Sequence, residues 1–423
     1  MKVKIVLIGM LALGCIVLGG DFPAQAERLQ PSMEIIQPSL FGLHIHRAIS
    51  TTPWPTVPFG SLRLWDTNTG WPWLEPRKGD WHFEALDRQV ALAEKHHVTV
   101  SLSLGMSPTW ASKRPTEKAA YGLGSAAEPE NLDDWRNYVR KVATRYKGRI
   151  QYYEIWNEPN LKTFYTGNVE QMVTLTMEAY KVLKEVDPSA FVISPSATGV
   201  GFGWTDEFLA KGGGRYAHYI GYHFYVTPRQ PEAMAESILK VKTIMKKHDV
   251  GNKQLWNTES GWYVQNHNSA VIAVAKKGDV KAKVLTDAET SAYIARAYII
   301  NWASGVQRFF WYAWDNKEMG LTEANGVSVK PSAVAYGQTY DWLVGSRMKS
   351  CISEKNTWIC NIERENGYSA WIVWNQYGAA SFPIPRDWKI QKIKDLNGAT
   401  RPVPSGSKID IGIAPLLLEN DSK

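Results

Sequence analysis

Between about residue 40 and residue 345 the chain alternates two kinds of hydrophobic pattern. Short apolar, β-rich runs occupy 40–46, 61–65, 98–104, 150–156, 191–195, 219–225, 254–259 and 308–314. Between them, apolar positions recur every three or four residues, the spacing of one helix face. Over 131–146 the stripe is Trp135, Tyr138, Val139, Val142 and Tyr146, with Asn131 placed to cap the start and Gly148 beyond the end. Over 169–186 it is Met172, Leu175, Ala179, Val182 and Val186, and Pro188 follows. The segments 231–247 and 287–303 read the same way. Eight strands with intervening helices predict an α/β fold of the (β/α)8 or TIM barrel type. No G-x-G-x-x-G follows an early strand, which sets aside a doubly wound dinucleotide fold.

After residue 346 the helical period stops. Runs at 358–362, 369–374, 390–394, 408–411 and 414–418 are separated by turn signals such as Glu365-Asn366-Gly367 and Asn397-Gly398. The expected organisation is a barrel over 34–345 and a small all-β, sandwich-like accessory domain over 346–423, which can draw a strand from 27–38. Residues 1–26 read as an export signal: Lys2 and Lys4, an apolar run over 5–18, then Ala24-Gln25-Ala26 as a cleavage site. The expected location is periplasmic or secreted. Retained, the segment would be an anchor shorter than the roughly 20 residues of a spanning helix; otherwise no membrane association is expected.

Composition narrows the class. At 423 residues, 44% hydrophobic and 21% charged, the chain has ample core material and no disordered bias. The formal charge of +7 comes without a basic run, so no nucleic-acid partner is expected. The 19 Trp, 19 Tyr and 12 Phe exceed ordinary core needs and point to a ring-lined binding surface. Beyond the export signal two cysteines remain, Cys351 and Cys360. In an oxidising compartment one bridge pinning a hairpin is expected, with two buried thiols as the alternative. No C-x-x-C or metal-ligand spacing occurs, so neither metal nor cofactor is expected.

In such barrels reactive groups project from the C-terminal ends of the strands. The fourth strand ends in Glu154-Ile155-Trp156-Asn157-Glu158-Pro159, the seventh in Trp256-Asn257-Thr258-Glu259-Ser260-Gly261-Trp262. Strands four and seven of eight face each other across the mouth. Glu158 and Glu259 therefore form a facing carboxylate pair, as glycosidic cleavage requires. Arg63 on strand two points inward with Trp65 and needs an anion; Glu259 is the first choice, and a structural pair with Asp66 the second. His223 and Tyr225 share a face of strand six. His44 and His46 share a face of strand one, with His46 assigned to sugar contact. Trp110, Trp204 and Trp262 stand in rim loops and can extend a groove.

Trp156-Asn157-Glu158-Pro159 and Thr258-Glu259-Ser260-Gly261-Trp262 resemble the motifs of clan A retaining glycoside hydrolases. Phe41-Gly42-Leu43-His44-Ile45-His46, Arg63-Leu64-Trp65-Asp66, Leu104-Gly105-Met106-Ser107-Pro108-Thr109-Trp110-Ala111-Ser112 and Tyr312-Ala313-Trp314-Asp315-Asn316 add to the likeness. Within the clan the chain is most similar to family 39-like, Psl-type endoglycosidases of exopolysaccharide clusters. The resemblance implies Glu158 as acid/base, Glu259 as nucleophile, Asn157 on the sugar 2-hydroxyl and Arg63 beside the nucleophile. It places His223 near the acid/base, Tyr225 as a donor to Glu259 and Trp314 as the platform under the sugar.

The expected activity is retaining, endo-acting hydrolysis of β-linkages in a bacterial exopolysaccharide by a monomer. Its partner is a polysaccharide or oligosaccharide substrate. Double displacement predicts carboxyl groups about 5–5.5 Å apart, with Glu259 titrating at or below the usual carboxylate range. The alternatives are an exo-acting β-xylosidase, a cellulase or mannanase of the same clan, and a non-catalytic polysaccharide-binding barrel.

Overall fold

The computed structural model describes residues 27–267, 283–406 and 408–420. The expected export segment 1–26 lies outside them. Among the described residues no helix is long and apolar enough to cross a membrane.

After a short strand β1 (Glu27–Leu29) come β2 (Phe41–Leu43), β3 (Ser61–Leu64), α1 (Trp71–Leu74), α2 (Glu84–Lys95), β4 (Thr99–Leu104), α3 (Leu132–Arg145), β5 (Tyr152–Ile155), α4 (Val169–Val186), β6 (Phe191–Ile193) and β7 (Ala197–Thr198). There follow α5 (Phe202–Ala210), β8 (Tyr219–His223), α6 (Ala233–Lys247), β9 (Gln254–Ser260), α7 (Asp287–Ala303), β10 (Val306–Trp311) and α8 (Pro331–Leu343). The sheet runs β6-β5-β4-β3-β2-β10-β9-β8 and closes through a β6–β8 pairing, all parallel, with β7 continuing β6 alongside β8. This is the expected eight-stranded barrel. Its strands are buried on both faces, because helices cover the outside and side chains fill the inside. That is why they read as apolar runs. Asn131 caps α3 by accepting from the Asp133 amide, and Asn168 with Gln171 forms a capping box on α4.

The inward residues change character along the barrel axis. Near the floor Arg308 lies between the rings of Tyr152 and Trp256, 4.3 and 4.2 Å from their centroids. Ile193, Trp256 and Phe310 pack there as a small apolar cluster. One layer toward the C-terminal ends the inward side chains are Arg63, Ser103, Glu154 and Thr258, joined by hydrogen bonds. The aromatic floor keeps water out of the base, so the polar layer opens only upward.

Beyond α8 the chain forms β11 (Arg347–Glu354), β12 (Thr357–Glu363), β13 (Ser369–Asn375), β14 (Ala380–Pro383), β15 (Ile390–Lys394), β16 (Thr400–Pro402), β17 (Lys408–Ile411) and β18 (Leu416–Asn420). A sheet ordered β1-β11-β12-β13-β18-β15-β16 faces the pair β14–β17 across Val373, Phe382, Ile384, Ile393, Ile409, Ile411 and Leu418. The N-terminal β1 supplies an edge strand to this sheet. β14 and β16 are too short, and too rich in polar residues and proline, to stand out in the hydrophobic pattern. Cys351 and Cys360 are register partners on β11 and β12 and are bonded to each other. The Trp374 indole donates to Glu232, which also takes Arg296, tying the sheet to α6 and α7.

Candidate active site

The fourth barrel strand does not run straight to its motif. It ends at Ile155, and Trp156 and Glu158 take left-handed backbone conformations (φ 64° and 44°). Such conformations are unfavourable for residues with a Cβ and persist only where neighbours fix them. Here Trp156 donates its ring N–H to the Phe164 carbonyl at 2.8 Å, and the Glu158 amide donates to the Ser196 carbonyl at 3.0 Å. The turn breaks the alternation of the strand. Glu154 and Asn157, three apart and therefore on opposite faces of a regular strand, both reach Arg63.

Arg63 is wholly buried, and its fork is fully used. Nε donates to Glu154 at 2.6 Å, Nη1 to Glu259 Oε2 at 2.8 Å and Nη2 to Asn157 Oδ1 at 2.8 Å. Burial works to lower the guanidinium's pKa, but the Glu154 and Glu259 charges outweigh it and hold the group above its usual range. Arg63 makes no pair with Asp66. Glu154 sits deeper than the two facing carboxylates and is fully buried. Burial tends to raise it; the Arg63 and His223 charges and the hydroxyl of Ser103 hold it below the carboxylate range. Ser196 links Glu154 to Thr258, donating to the former and accepting from the latter at 2.7 Å.

Glu259 lies in β9 and Glu158 beyond β5, both nearly buried. Tyr225 donates its hydroxyl to Glu259 Oε1 at 3.0 Å. His223 Nδ1 lies 2.9 Å from Glu158 Oε1 and 3.9 Å from Glu259 Oε1, with Nε2 buried and without a partner among the described residues. A ligand atom from each of Glu158, His223 and Glu259 lies within 4.8 Å of the other two. Sequence spacing puts no histidine near either carboxylate, whereas folding brings His223 between them, and among the described residues these three could hold a metal. Arg63 and Tyr225 already occupy the two oxygens of Glu259, and the guanidinium opposes a second cation there. The donor set therefore suits proton chemistry better than metal binding.

The charge of Glu259 departs from expectation. Burial, the largest influence, pushes it up to about 7; the His223 and Arg63 charges oppose this, and those of Glu158 and Asp66 add to it. The Glu158 charge beside it repels a second negative charge and so favours the protonated form of Glu259. Arg63 and Tyr225 both touch Glu259, and both favour a negative charge on it. Burial, with the Glu259 and Glu158 charges, pushes the Tyr225 hydroxyl well up, so it remains a donor.

Two aromatic expectations are corrected. Trp314 is 2% exposed and packs in the barrel's hydrophobic core, so it offers no face to a sugar. Tyr312 occupies the end of β10 instead, half-buried, with its ring 5.1 Å from His44 and 5.0 Å from His46. Trp262 is buried against Trp311, its indole donating to the Arg229 carbonyl. Trp110 and Trp204 are half-buried, the one donating to the Glu75 carbonyl and the other stacked on Phe208. His46 stays at the mouth, its amide on Asp315 at 2.8 Å. His44 lies deeper, 3.3 Å from the Thr258 carbonyl, and burial holds it well below its usual range.

Sequence reasoning passed over Glu154, Ser196, Tyr312 and Asp66 as members of the site. Only Glu154 had a usable signal, since it shares the inward parity of its strand with a buried arginine to balance.

Residues 77–260 match Glycosyl hydrolases family 39. The matched segment contains Glu158 and Glu259 and begins after Arg63. Over 137 residues the chain is 25% identical to a β-xylosidase of Geobacillus stearothermophilus, covering 30% of this chain and 27% of that protein. The match thus spans about a quarter of the relative's length. A family 39 glycoside hydrolase from Bacteroides cellulosilyticus WH2 superposes with a TM-score of 0.72 at 19% identity, covering 92% of this chain and 82% of that one. A glucosidase from Croceicoccus marinus superposes with a TM-score of 0.64 at 14% identity, covering 95% and 99%. These likenesses establish a shared fold that includes the C-terminal β region.

Proposed function

We propose that this chain is a retaining glycoside hydrolase that cleaves β-linkages in a bacterial exopolysaccharide, acting within the chain. One observation carries the reading: two nearly buried carboxylates face each other with oxygens within 4.8 Å, and only one of them is held by an arginine and a tyrosine hydroxyl. The short gap favours double displacement over inversion, which needs about 6.5–9.5 Å between the carboxyl groups to admit a water.

Glu259, with its charge held by Arg63 and Tyr225, attacks the anomeric carbon. The glycosidic carbon–oxygen bond breaks and the departing oxygen takes the proton of Glu158. Glu158 then accepts a proton from water as the water oxygen displaces Glu259, restoring both carboxyl groups. Asn157, its Oδ1 turned onto Arg63, presents its amide N–H to the sugar; a contact that tightens in the transition state raises the rate. His223 positions Glu158. His46 and Tyr312 line the wall above.

The export motif at 1–26 supports a substrate met outside the cytoplasm, in the periplasm or beyond. Every group named comes from one chain, so a monomer suffices. The names of the β-xylosidase and glucosidase relatives favour one second reading, an exo-acting enzyme on the same site. A glycan screen of wild type beside Glu158→Gln and Glu259→Gln tests the proposal. Cleavage by wild type alone is expected, and a ladder of internal products distinguishes endo from exo action. Binding with unchanged turnover in both variants would leave a polysaccharide-binding barrel.

A further inference from the structure

Asp66 leaves β3 with a left-handed backbone (φ 58°) and is half-buried at the mouth. One of its oxygens accepts the Tyr121 hydroxyl, and the other accepts the Tyr312 hydroxyl at 2.6 Å. Tyr121 comes from the segment between β4 and α3, and Tyr312 from the end of β10, so one carboxylate gathers three loops. Two phenols do not neutralise a charge: burial, together with the Asp66 charge, pushes both hydroxyls up, and they stay protonated. Among the described residues no cation pairs with Asp66. Arg63 is committed to Glu154, Glu259 and Asn157, and Arg47 to Asp315.

A cavity of about 100 Å³ opens beside this carboxylate, walled by Trp65, Thr69, Trp73, Met106 and Tyr121. Ser103 lines it and donates to Glu154 at 2.6 Å beneath the facing carboxylates, and the Asp66 charge acts on Glu259 itself. A carboxylate offers about four lone-pair sites, and the tyrosines take two, so capacity remains for a ligand's donors. Across the Tyr312 ring, the Nε2 of His46 is buried and has no partner among the described residues.

We propose that Asp66 and this cavity form a subsite beside the cleavage point that takes a sugar's hydroxyl or ammonium donor and turns away a sugar carboxylate. The inference deepens the glycosidase reading and rests on it. The cavity, about 100 Å³, holds the substituent rather than the whole ring, and the free lone pairs of Asp66 receive its donor. A uronate carboxylate at the same place would meet a like charge with no cation to screen it.

The test uses three matched oligosaccharides differing in one substituent: a neutral hexose, its hexosamine and its hexuronate. Wild type is expected to favour the first two over the uronate by about tenfold or more in kcat/KM, and Asp66→Asn to bring the uronate within about threefold of the neutral sugar. Tyr121→Phe removes a tether and keeps the charge, so it is expected to retain the discrimination. Because loss of Asp66 also frees two loops, Tyr121→Phe separates charge from loop order. Equal handling of the three sugars by wild type overturns the inference. So does an unchanged ratio in Asp66→Asn, or the same loss in Tyr121→Phe. If wild type cleaves nothing, the glycosidase reading fails on its own. Binding of the three sugars by Glu259→Gln, with and without Asp66→Asn, then decides the subsite: the same order supports it, and no order overturns it.

Discussion

The guanidinium of Arg63 donates to Glu259 at 2.8 Å with the arginine wholly buried and the carboxylate nearly so. The same group holds Glu154 and Asn157, so one cation on β3 fixes residues from β5, the turn beyond it and β9. A buried pair contributes little net stability over an apolar substitute, but removing one partner strands the others without compensation. Arg63→Met therefore leaves two carboxylates and an amide oxygen without their donor. The expected cost is about 3–5 kcal/mol of stability, together with loss of detectable turnover. Arg63→Lys keeps the charge and loses the fork, so it is expected to fold and to lose most of kcat. Thermal melts beside kinetics check both.

The two carboxylates are expected to fail differently. A leaving group that departs readily as an anion needs no proton, so Glu158→Gln should lose far more activity on an alkyl glycoside than on a nitrophenyl one. Glu259→Gln lacks the nucleophile and should lose both alike. A drop of about 10²–10⁴-fold is expected for the general acid on the demanding substrate. Parallel rate measurements on the two substrates decide it.

The raised pKa of Glu259 gives a pH dependence with a definite sign. Attack needs the ionised form, so kcat/KM should fall on the acid side with a midpoint near pH 7, the value of about 7 reached by burial against the opposing His223 and Arg63 charges. The folded protein also binds a proton here that the unfolded chain releases at the ordinary carboxylate value. Between about pH 4.5 and pH 7 this group's contribution therefore destabilises the fold as pH rises. The melting temperature of Glu259→Gln, compared with wild type, should gain ground from pH 5 to pH 8.

Tyr225→Phe removes one donor to Glu259 Oε1 and leaves the ring in place. A hydrogen bond to a charged acceptor is worth about 1.5–3 kcal/mol, so kcat should fall by roughly ten- to a hundredfold with KM little changed. Steady-state kinetics check the split.

The Cys351–Cys360 bond closes a short loop, nine residues apart in sequence. Constraint of the unfolded chain makes such a bond worth about 2–3 kcal/mol. The Cys351→Ala, Cys360→Ala double variant should lose that much in denaturant titration and keep its kcat, because the hairpin lies in the β region beyond α8.

The barrel was legible because parallel strands covered on both faces cannot hide: each is an apolar run, α3 starts at its Asn131 cap, and α4 and α7 span the residues their periodicity marks. Glu158 and Glu259 were legible for a related reason, since strand number and rim position fix which residues face each other. The polar layer beneath them was not. Glu154 reads as one more strand residue until Arg63 is seen turning onto it. Asp66 meets tyrosines 55 and 246 residues away, a distance along the chain that no local pattern spans. Trp314 misleads because its ring packs into the core, and Tyr312 takes the place at the mouth.

The central claim is that Glu259 forms a bond to the sugar. A fluorinated glycoside that forms the glycosyl-enzyme and hydrolyses slowly, followed by peptide mass mapping, tests it directly. One sugar per chain on the peptide containing Glu259, absent in Glu259→Gln, is the expected result. Turnover with no trapped intermediate and an inverted product, or a label on any other carboxylate, would contradict it.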